Sequence, residues 1–220
     1  MCGRYTLTQP GQLPLRFDVQ VDEDAGLPRY NIAPSQLVPV IVEGPEGRAL
    51  QQMRWGFQPA WAASASNRPA PINARAETLL ERPLFRGAVA RRRCLIVADG
   101  FFEWQDVGRG PKQPVYIRLR SGGLFAFAGL YADGGEGPAT CAIITTEPNE
   151  ILKPIHNRMP AILDPAVEGI WTDPLLTDPP AALSCLRPLP AEQMIAFPVS
   201  RLVSDVRNDG PRLIEPLAPA

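Results

Sequence analysis

Apolar positions along the chain recur at a period of two or fall in short unbroken runs, the pattern of half-buried and fully buried strands. Residues 37–42 (LVPVIV) read as a strand. Gly44-Pro45-Glu46-Gly47 then turns the chain and 48–54 (RALQQMR) returns, predicting a hairpin. Further β-like runs lie at 94–98, 101–106, 114–120, 124–131 and 140–146, with Asp99-Gly100 as a turn signal between the first two. Segments 159–163 and 194–199 also read as strands. Helical character is confined to short stretches: 74–90 with an interruption at Pro83, 148–153, 165–172 and 180–186. Segment 58–71 (QPAWAASASNRPAP) follows no period and reads as a long loop carrying Trp61 and Arg68. Long irregular loops inside compact domains are often functional. The pattern predicts an α+β fold: a single domain over residues 2–220 on a mostly antiparallel, barrel-like β-sheet with short helices.

Composition agrees with many short strands joined by tight turns. The chain has 220 residues, with 26 Pro and 18 Gly, which excludes a helix bundle less firmly than it favours turns. A net charge of −1 gives no global basic field. The cations are nonetheless biased: Lys112 and Lys153 are the only lysines among 22 Lys and Arg. Arginine suits bidentate phosphate or carboxylate binding, and a GC-rich genome explains the bias equally well. The four cysteines, Cys2, Cys94, Cys141 and Cys185, form no CxxC pair. Cys94 and Cys141 sit in apolar runs and read as core residues, and Cys185 reads the same way on a helix. The N-terminus lacks the apolar stretch of a signal peptide, and no 18-residue apolar run exists, so a reducing, cytoplasmic setting without membrane association is expected.

Cys2 stands out by position. A small residue after the initiator Met normally permits its removal, which would expose an α-amine and a thiol on adjacent carbons. Such a 1,2-aminothiol forms a Schiff base with an aldehyde and then closes a thiazolidine ring. Both groups ordinarily titrate near pH 8. The bland alternative is a frayed terminus. His156 is the only histidine, so any imidazole proton transfer must use it and any metal site needing two histidines is excluded; a structural role is the alternative. No metal and no cofactor are expected. Glu103, in DGFFEWQ, would have a raised pKa if it pointed into an apolar pocket, or would be an ordinary strand carboxylate if it pointed out. Asn73 and Arg75, in PINARAET, could cap a helix or present its N-terminus to an anion, and Arg75 could simply pair with Glu77. Arg91-Arg92-Arg93 reads as a nucleic-acid patch or as a solvated helix end.

Eight blocks run in order: MCGRY (1–5), YNIAPSQ (30–36), RWGF (54–57), PINARAET (71–78), RCLIVADGFFEW (93–104), FAFAGLY (125–131), TTEPN (145–149) and IHNRMPAIL (155–163). Together they resemble the SRAP (SOS-response-associated peptidase) family, whose members sense abasic sites in single-stranded DNA, and the match extends from residue 2 to about residue 212. The resemblance implies that Cys2 links covalently to the abasic deoxyribose. It implies that Asn73 orients the aminothiol and sugar, and that Glu103 and His156 form the acid–base pair. Arg4, Arg75 and Arg158 would bind the flanking phosphates. Trp55, Phe57 and Trp61 are candidates to stack on bases or wedge a duplex, and Arg54 and Arg86 to extend a positive groove; core packing is the alternative for Trp55. The expected partner is single-stranded DNA containing abasic sites, with single-strand/double-strand junctions as an open extension. The expected protein is a minimal, monomeric, nucleoid-associated domain acting in the DNA damage response through a thiazolidine crosslink that shields the lesion from strand cleavage. Two other readings stay open. One is a thiol peptidase, or self-processing enzyme, with Cys2 as nucleophile and His156 as base. The other is a non-covalent reader of damaged or modified DNA.

Overall fold

The computed structural model describes residues 2–21, 26–63 and 69–218; Met1 and Arg68 lie outside them. Twelve strands run in chain order: β1 (Tyr5–Leu7), β2 (Arg29–Ile32), β3 (Leu37–Gly44), β4 (Gly47–Trp55), β5 (Asn73–Arg75), β6 (Arg93–Ala98), β7 (Gly100–Gln105), β8 (Gln113–Leu119), β9 (Phe125–Ala132), β10 (Thr140–Thr146), β11 (Met159–Pro160) and β12 (Met194–Pro198). The helices are short: α1 (Leu13–Phe17), α2 (Ala60–Ala63), α3 (Pro83–Arg91), α4 (Pro165–Thr172) and α5 (Pro179–Leu183). No helix among the described residues is long and apolar enough to cross a membrane.

The barrel-like expectation holds in a specific way. Strands β10, β4, β3, β6 and β9 pair in that order, and β9 pairs back onto β10, closing a ring. Closure removes the exposed edges that an open sheet would present. Short β5 and β11 add to β10 at the rim. All pairings are antiparallel except those of β10 with β4 and β5. A second sheet, ordered β12-β8-β7-β1-β2, packs beside the ring. The β3–β4 hairpin turns as expected, with Gly44 opposite Gly47, and Gly47 takes φ of 100°, which favours glycine.

Several sequence expectations are corrected. Asp99-Gly100 does not turn a hairpin. It is where the chain leaves the ring (β6) for the second sheet (β7), with Asp99 N–H donating to Thr6 O. A β-carbon at Gly100 would fall 2.1 Å from the Tyr116 hydroxyl, so this crossing admits only glycine. Residues 73–75 form a strand, because β10 offers them a parallel partner (Ile143 opposite Asn73), and Pro83 opens α3 rather than interrupting a longer helix. Residues 148–153 form turns, since Pro148 and Pro154 bracket too short a stretch for a helix. Segment 58–71 contains the short α2. The strand read at 159–163 is reduced to β11 and a bridge from Ile162 to Phe127.

Arg91, exposed in the last turn of α3, fits the solvated helix end, but Arg93 departs from both readings of the arginine triplet. It is 4% exposed, and its Nε and both Nη atoms donate to five carbonyls: Trp171 (2.5 Å), Val89 (2.7 Å), Ala90 (2.9 Å), Asp173 (2.6 Å) and Leu176 (2.9 Å). A guanidinium has five N–H donors, and this geometry uses all of them to tie α3 to the end of α4. Arg92 pairs with Asp133, and Arg91 is exposed. Replacing Arg93 by Ala strands several buried carbonyls at about 1–3 kcal/mol for each unsatisfied group. A loss of roughly 3 kcal/mol or more is therefore expected, lowering Tm by roughly 6–12 °C for a chain of this size. Thermal unfolding of Arg93→Ala against wild type measures it, with Arg93→Lys expected to fall between the two.

Candidate active site

The amino-terminal residues are held where the two sheets meet. Tyr5 is fully buried, edge-on to Trp55 (centroids 5.2 Å apart) and Phe127 (5.8 Å). β1 pairs with both β2 and β7. Beyond the strand, Arg4 O still accepts from Phe102 N–H at 2.9 Å, so the ladder with β7 continues toward Cys2. Cys2 is consequently buried, not frayed. Glu103 follows Phe102 on β7 and is 2% exposed. Asn73, on β5 at the rim of the ring, donates its Nδ2 to Cys2 O at 2.9 Å. Its buried Oδ1 has no hydrogen-bond partner among the described residues. His156 comes from the turn preceding β11.

The electrostatics follow from this burial. Desolvation pushes the Glu103 carboxyl up to about 7, while the positive chain terminus and Lys112 pull it back. Desolvation, with Glu103 adding to it, raises the Cys2 thiol far above its ordinary range, so at neutral pH the sulfur is protonated. His156 is lowered by burial and by the positive terminus, and so stays neutral. Its Nδ1 lies 3.1 Å from Arg158 N and 3.3 Å from Arg158 O, so the backbone of residue 158 holds the ring in place. Glu103 acts on the Cys2 thiol, and Lys112 acts on both Glu103 and His156, so these groups are linked electrostatically.

The four chemistry-bearing residues singled out from sequence thus converge, but those assigned to DNA divide. Trp55 is fully buried, and its Nε1 donates to Ile72 O at 2.9 Å. It is a core residue, unable to stack on a base, and Phe57 at 1% exposure is another. Trp61, on α2, is 65% exposed. Arg4 is half-buried: its Nη1 donates to Asn31 Oδ1 (2.7 Å) and Val203 O (2.8 Å), and its guanidinium lies over Trp104. Arg75 is exposed on strand β5, not at a helix N-terminus, and it does not pair with Glu77. Glu77 instead grips Arg158 in a fork, Nη1–Oε1 2.7 Å and Nη2–Oε2 2.9 Å, and Arg158 Nη2 also donates to Thr145 O at 2.6 Å. Arg54 and Arg86 are exposed.

Asn31 is an organising residue that the sequence reading did not single out, and Glu77, read only as a partner for Arg75, holds Arg158 instead. Asn31 Nδ2 donates to Val203, Asp205 and Asn208 carbonyls, strapping residues 201–208 against Arg4. The YNIAPSQ block was the available signal for it. Among the described residues no group of three or more His, Cys, Asp or Glu could hold a metal ion.

Comparison with known proteins gives a consistent result. Residues 1–206 match the family described as SOS response associated peptidase (SRAP). The chain is 42% identical over 222 residues to "Abasic site processing protein YoqW" of Bacillus subtilis, covering 98% of this chain and 99% of that one. It is 30% identical over 227 residues to "Abasic site processing protein YedK" of Escherichia coli, covering 99% and 100%. A crystal structure of a protein from Bacteroides thetaiotaomicron superposes with a TM-score of 0.86 at 27% identity, covering 99% of this chain and all of that one.

A buried carboxyl displaced upward makes stability depend on pH with a defined sign. Between its ordinary value near 4.5 and about 7, Glu103 binds more protons in the folded than in the unfolded state. Stability therefore falls as pH rises through that window and levels off above it. Glu103→Gln is expected to match wild type below pH 4.5 and to exceed it above pH 7, by roughly 7–14 °C in Tm. Melting curves of both proteins between pH 4 and 8 test this, and parallel curves would show that Glu103 is not held in its neutral form.

Proposed function

The chain belongs to the SRAP family, and from that premise we propose that it processes abasic sites in single-stranded DNA by covalent capture through Cys2. The observation that carries the reading is the burial of Cys2 beside Glu103 with its backbone held by Asn73. A second residue with no chemical duty has no reason to be fixed this way. The relatives' name, abasic site processing protein, supports DNA containing such lesions as the substrate.

Removal of Met1 turns the Cys2 nitrogen into a free amine on a residue whose thiol already feels the Glu103 carboxylate. A ring-opened abasic sugar presents an aldehyde at C1′. The neutral amine adds to that carbon, forming a C–N bond and a carbinolamine. Glu103, titrating near neutrality, takes the proton released by nitrogen and returns one to the departing hydroxyl, so that water leaves and a C=N bond remains. His156, neutral, donates toward the sugar oxygen during ring opening. The protonated Cys2 thiol then adds across C=N, sulfur to carbon and its proton to nitrogen. A thiazolidine results, and the net loss is one water. The raised thiol favours this order, because a protonated sulfur is a poor first nucleophile and the amine is not. The same fact disfavours a thiolate peptidase. Consuming the C=N bond removes the Schiff base that would otherwise promote β-elimination, which leaves the strand intact.

The exposed Arg75, opposite Thr145 on β10, supports a phosphate contact at the rim of the ring, and the exposed Trp61 is the aromatic residue offered to a base or a duplex end. Arg4 and Arg158 border that surface while already bonded within the protein. Acting on DNA, the protein would sit at the nucleoid.

Two measurements test the reading. Intact mass of the Met1-free protein mixed with an abasic single-stranded oligonucleotide is expected to show a heat-stable adduct lighter by one water than the sum of its parts, absent in Cys2→Ala. An undiminished adduct in Cys2→Ala overturns the assignment. Non-covalent affinity of Cys2→Ala for single-stranded DNA is expected to fall with salt, with a log–log slope of about −2 if three phosphates are neutralised, at roughly 0.7 each. A flat response would exclude the phosphate contacts.

A further inference from the structure

Glu77 lies between the two arginines best placed to hold the strand. Its carboxylate occupies the outward fork of Arg158, and the nearby positive charge of Arg75 also acts on it. The donor inventory of Arg158 is nearly exhausted. Nη2 gives one N–H to Glu77 and one to Thr145 O. Nη1 gives one to Glu77. Nε is buried and has no partner among the described residues. Of the five N–H groups of a guanidinium, one on Nη1 remains for an incoming ligand, and one donor cannot make the two-point grip that phosphate recognition by arginine uses.

The two ends of this pair are not equally committed. The Arg158 side chain is 13% exposed and anchored from behind by Thr145 O, so it stays where it is. Glu77 follows β5 in a single 3-10 turn (Ala76–Thr78), and its side chain is 48% exposed. It can swing into water at little desolvation cost, whereas Arg158 cannot. The exposed Arg75 side chain, by contrast, makes no hydrogen bond or ion pair among the described residues and is open to a phosphate as it stands.

We propose that Glu77 is a tethered stand-in for a DNA phosphate: it occupies the Arg158 fork in the free protein and must be displaced before the strand can seat there. The inference rests on the DNA-binding reading above and adds a specificity determinant to it. A phosphodiester carries the same single negative charge as the carboxylate, so exchange leaves the local charge balanced while Glu77 becomes solvated. Every strand meets this competition. An ordinary strand has only non-covalent contacts with which to win it, while an abasic strand is then retained by the bond to Cys2. Glu77 therefore lowers affinity for undamaged DNA without lowering the final yield of captured lesions.

Binding of an undamaged single-stranded oligonucleotide, followed by fluorescence anisotropy across a salt series, tests the proposal. Wild type, Glu77→Gln, Arg158→Gln and the double variant are compared. Glu77→Gln is expected to bind about three- to tenfold more tightly, with a log–log salt slope steeper by about 0.7, one further phosphate neutralised. The gain must vanish when Arg158 is also replaced. Unchanged or weaker binding by Glu77→Gln overturns the proposal, since Glu77 would then only orient Arg158. A gain that persists in the double variant also overturns it, because the carboxylate would be acting as a general negative charge. Adduct formation by wild type on an abasic strand, measured alongside, separates the two levels: its presence with no gain in Glu77→Gln refutes this inference alone, and its absence with no binding to either strand refutes the DNA reading beneath it.

Discussion

The Asp99 carboxylate fixes the place of everything near the amino terminus. Oδ1 accepts from the Thr6 hydroxyl at 2.6 Å, and Oδ2 accepts from both the backbone N–H and the hydroxyl of Thr8. Thr6 in turn meets the Tyr116 hydroxyl, whose closeness excludes any side chain at position 100. One buried carboxylate, at the crossing between the ring and the second sheet, thus fastens a strand of only three residues. Chain termini ordinarily fray because few contacts oppose their entropy. Here the Asp99 bonds and the packing of Tyr5 against Trp55 and Phe127 oppose it, and Cys2 is delivered into a buried site as a consequence.

The arginine excess has a related meaning. Much of it works inside the protein. Arg93 collects five carbonyls, Arg16 forks onto buried Glu168, Arg4 holds the strap at Val203, and Arg158 is gripped by Glu77 and Thr145. A rigid planar donor set suits these tasks better than an ammonium would. Other arginines, Arg54, Arg75 and Arg86 among them, stay exposed. This is compatible with a chain whose net charge is −1.

The balance at the site sets stability against chemistry. Burying Glu103 costs folding free energy above neutral pH, because its charged form loses water. The same desolvation brings its proton affinity near the working pH, where an acid–base group is most effective. Asn73 shows a similar compromise: one half of its amide is bonded to Cys2 and the other is buried without a partner among the described residues. A polar atom left in this state is a cost that a bound sugar hydroxyl could relieve.

The sequence by itself determined most of the strands, the β3–β4 hairpin and α4, and it put forward the four residues proposed to carry the chemistry. These are local facts: period-two runs, a Gly-flanked two-residue turn, a proline at a helix start, and the one histidine available. It misread residues 73–75 as helix because their strand conformation comes from β10, about seventy residues away, and nothing nearby in the chain announces that partner. It likewise read Asp99-Gly100 as a hairpin, since a dipeptide signals a bend but not which sheet the chain enters next. Tertiary structure alone decided that Trp55 is core, that Arg93 caps carbonyls, and that Glu77 takes Arg158 rather than Arg75. Burial and pairing are properties of surroundings, and surroundings exist only once distant segments have packed.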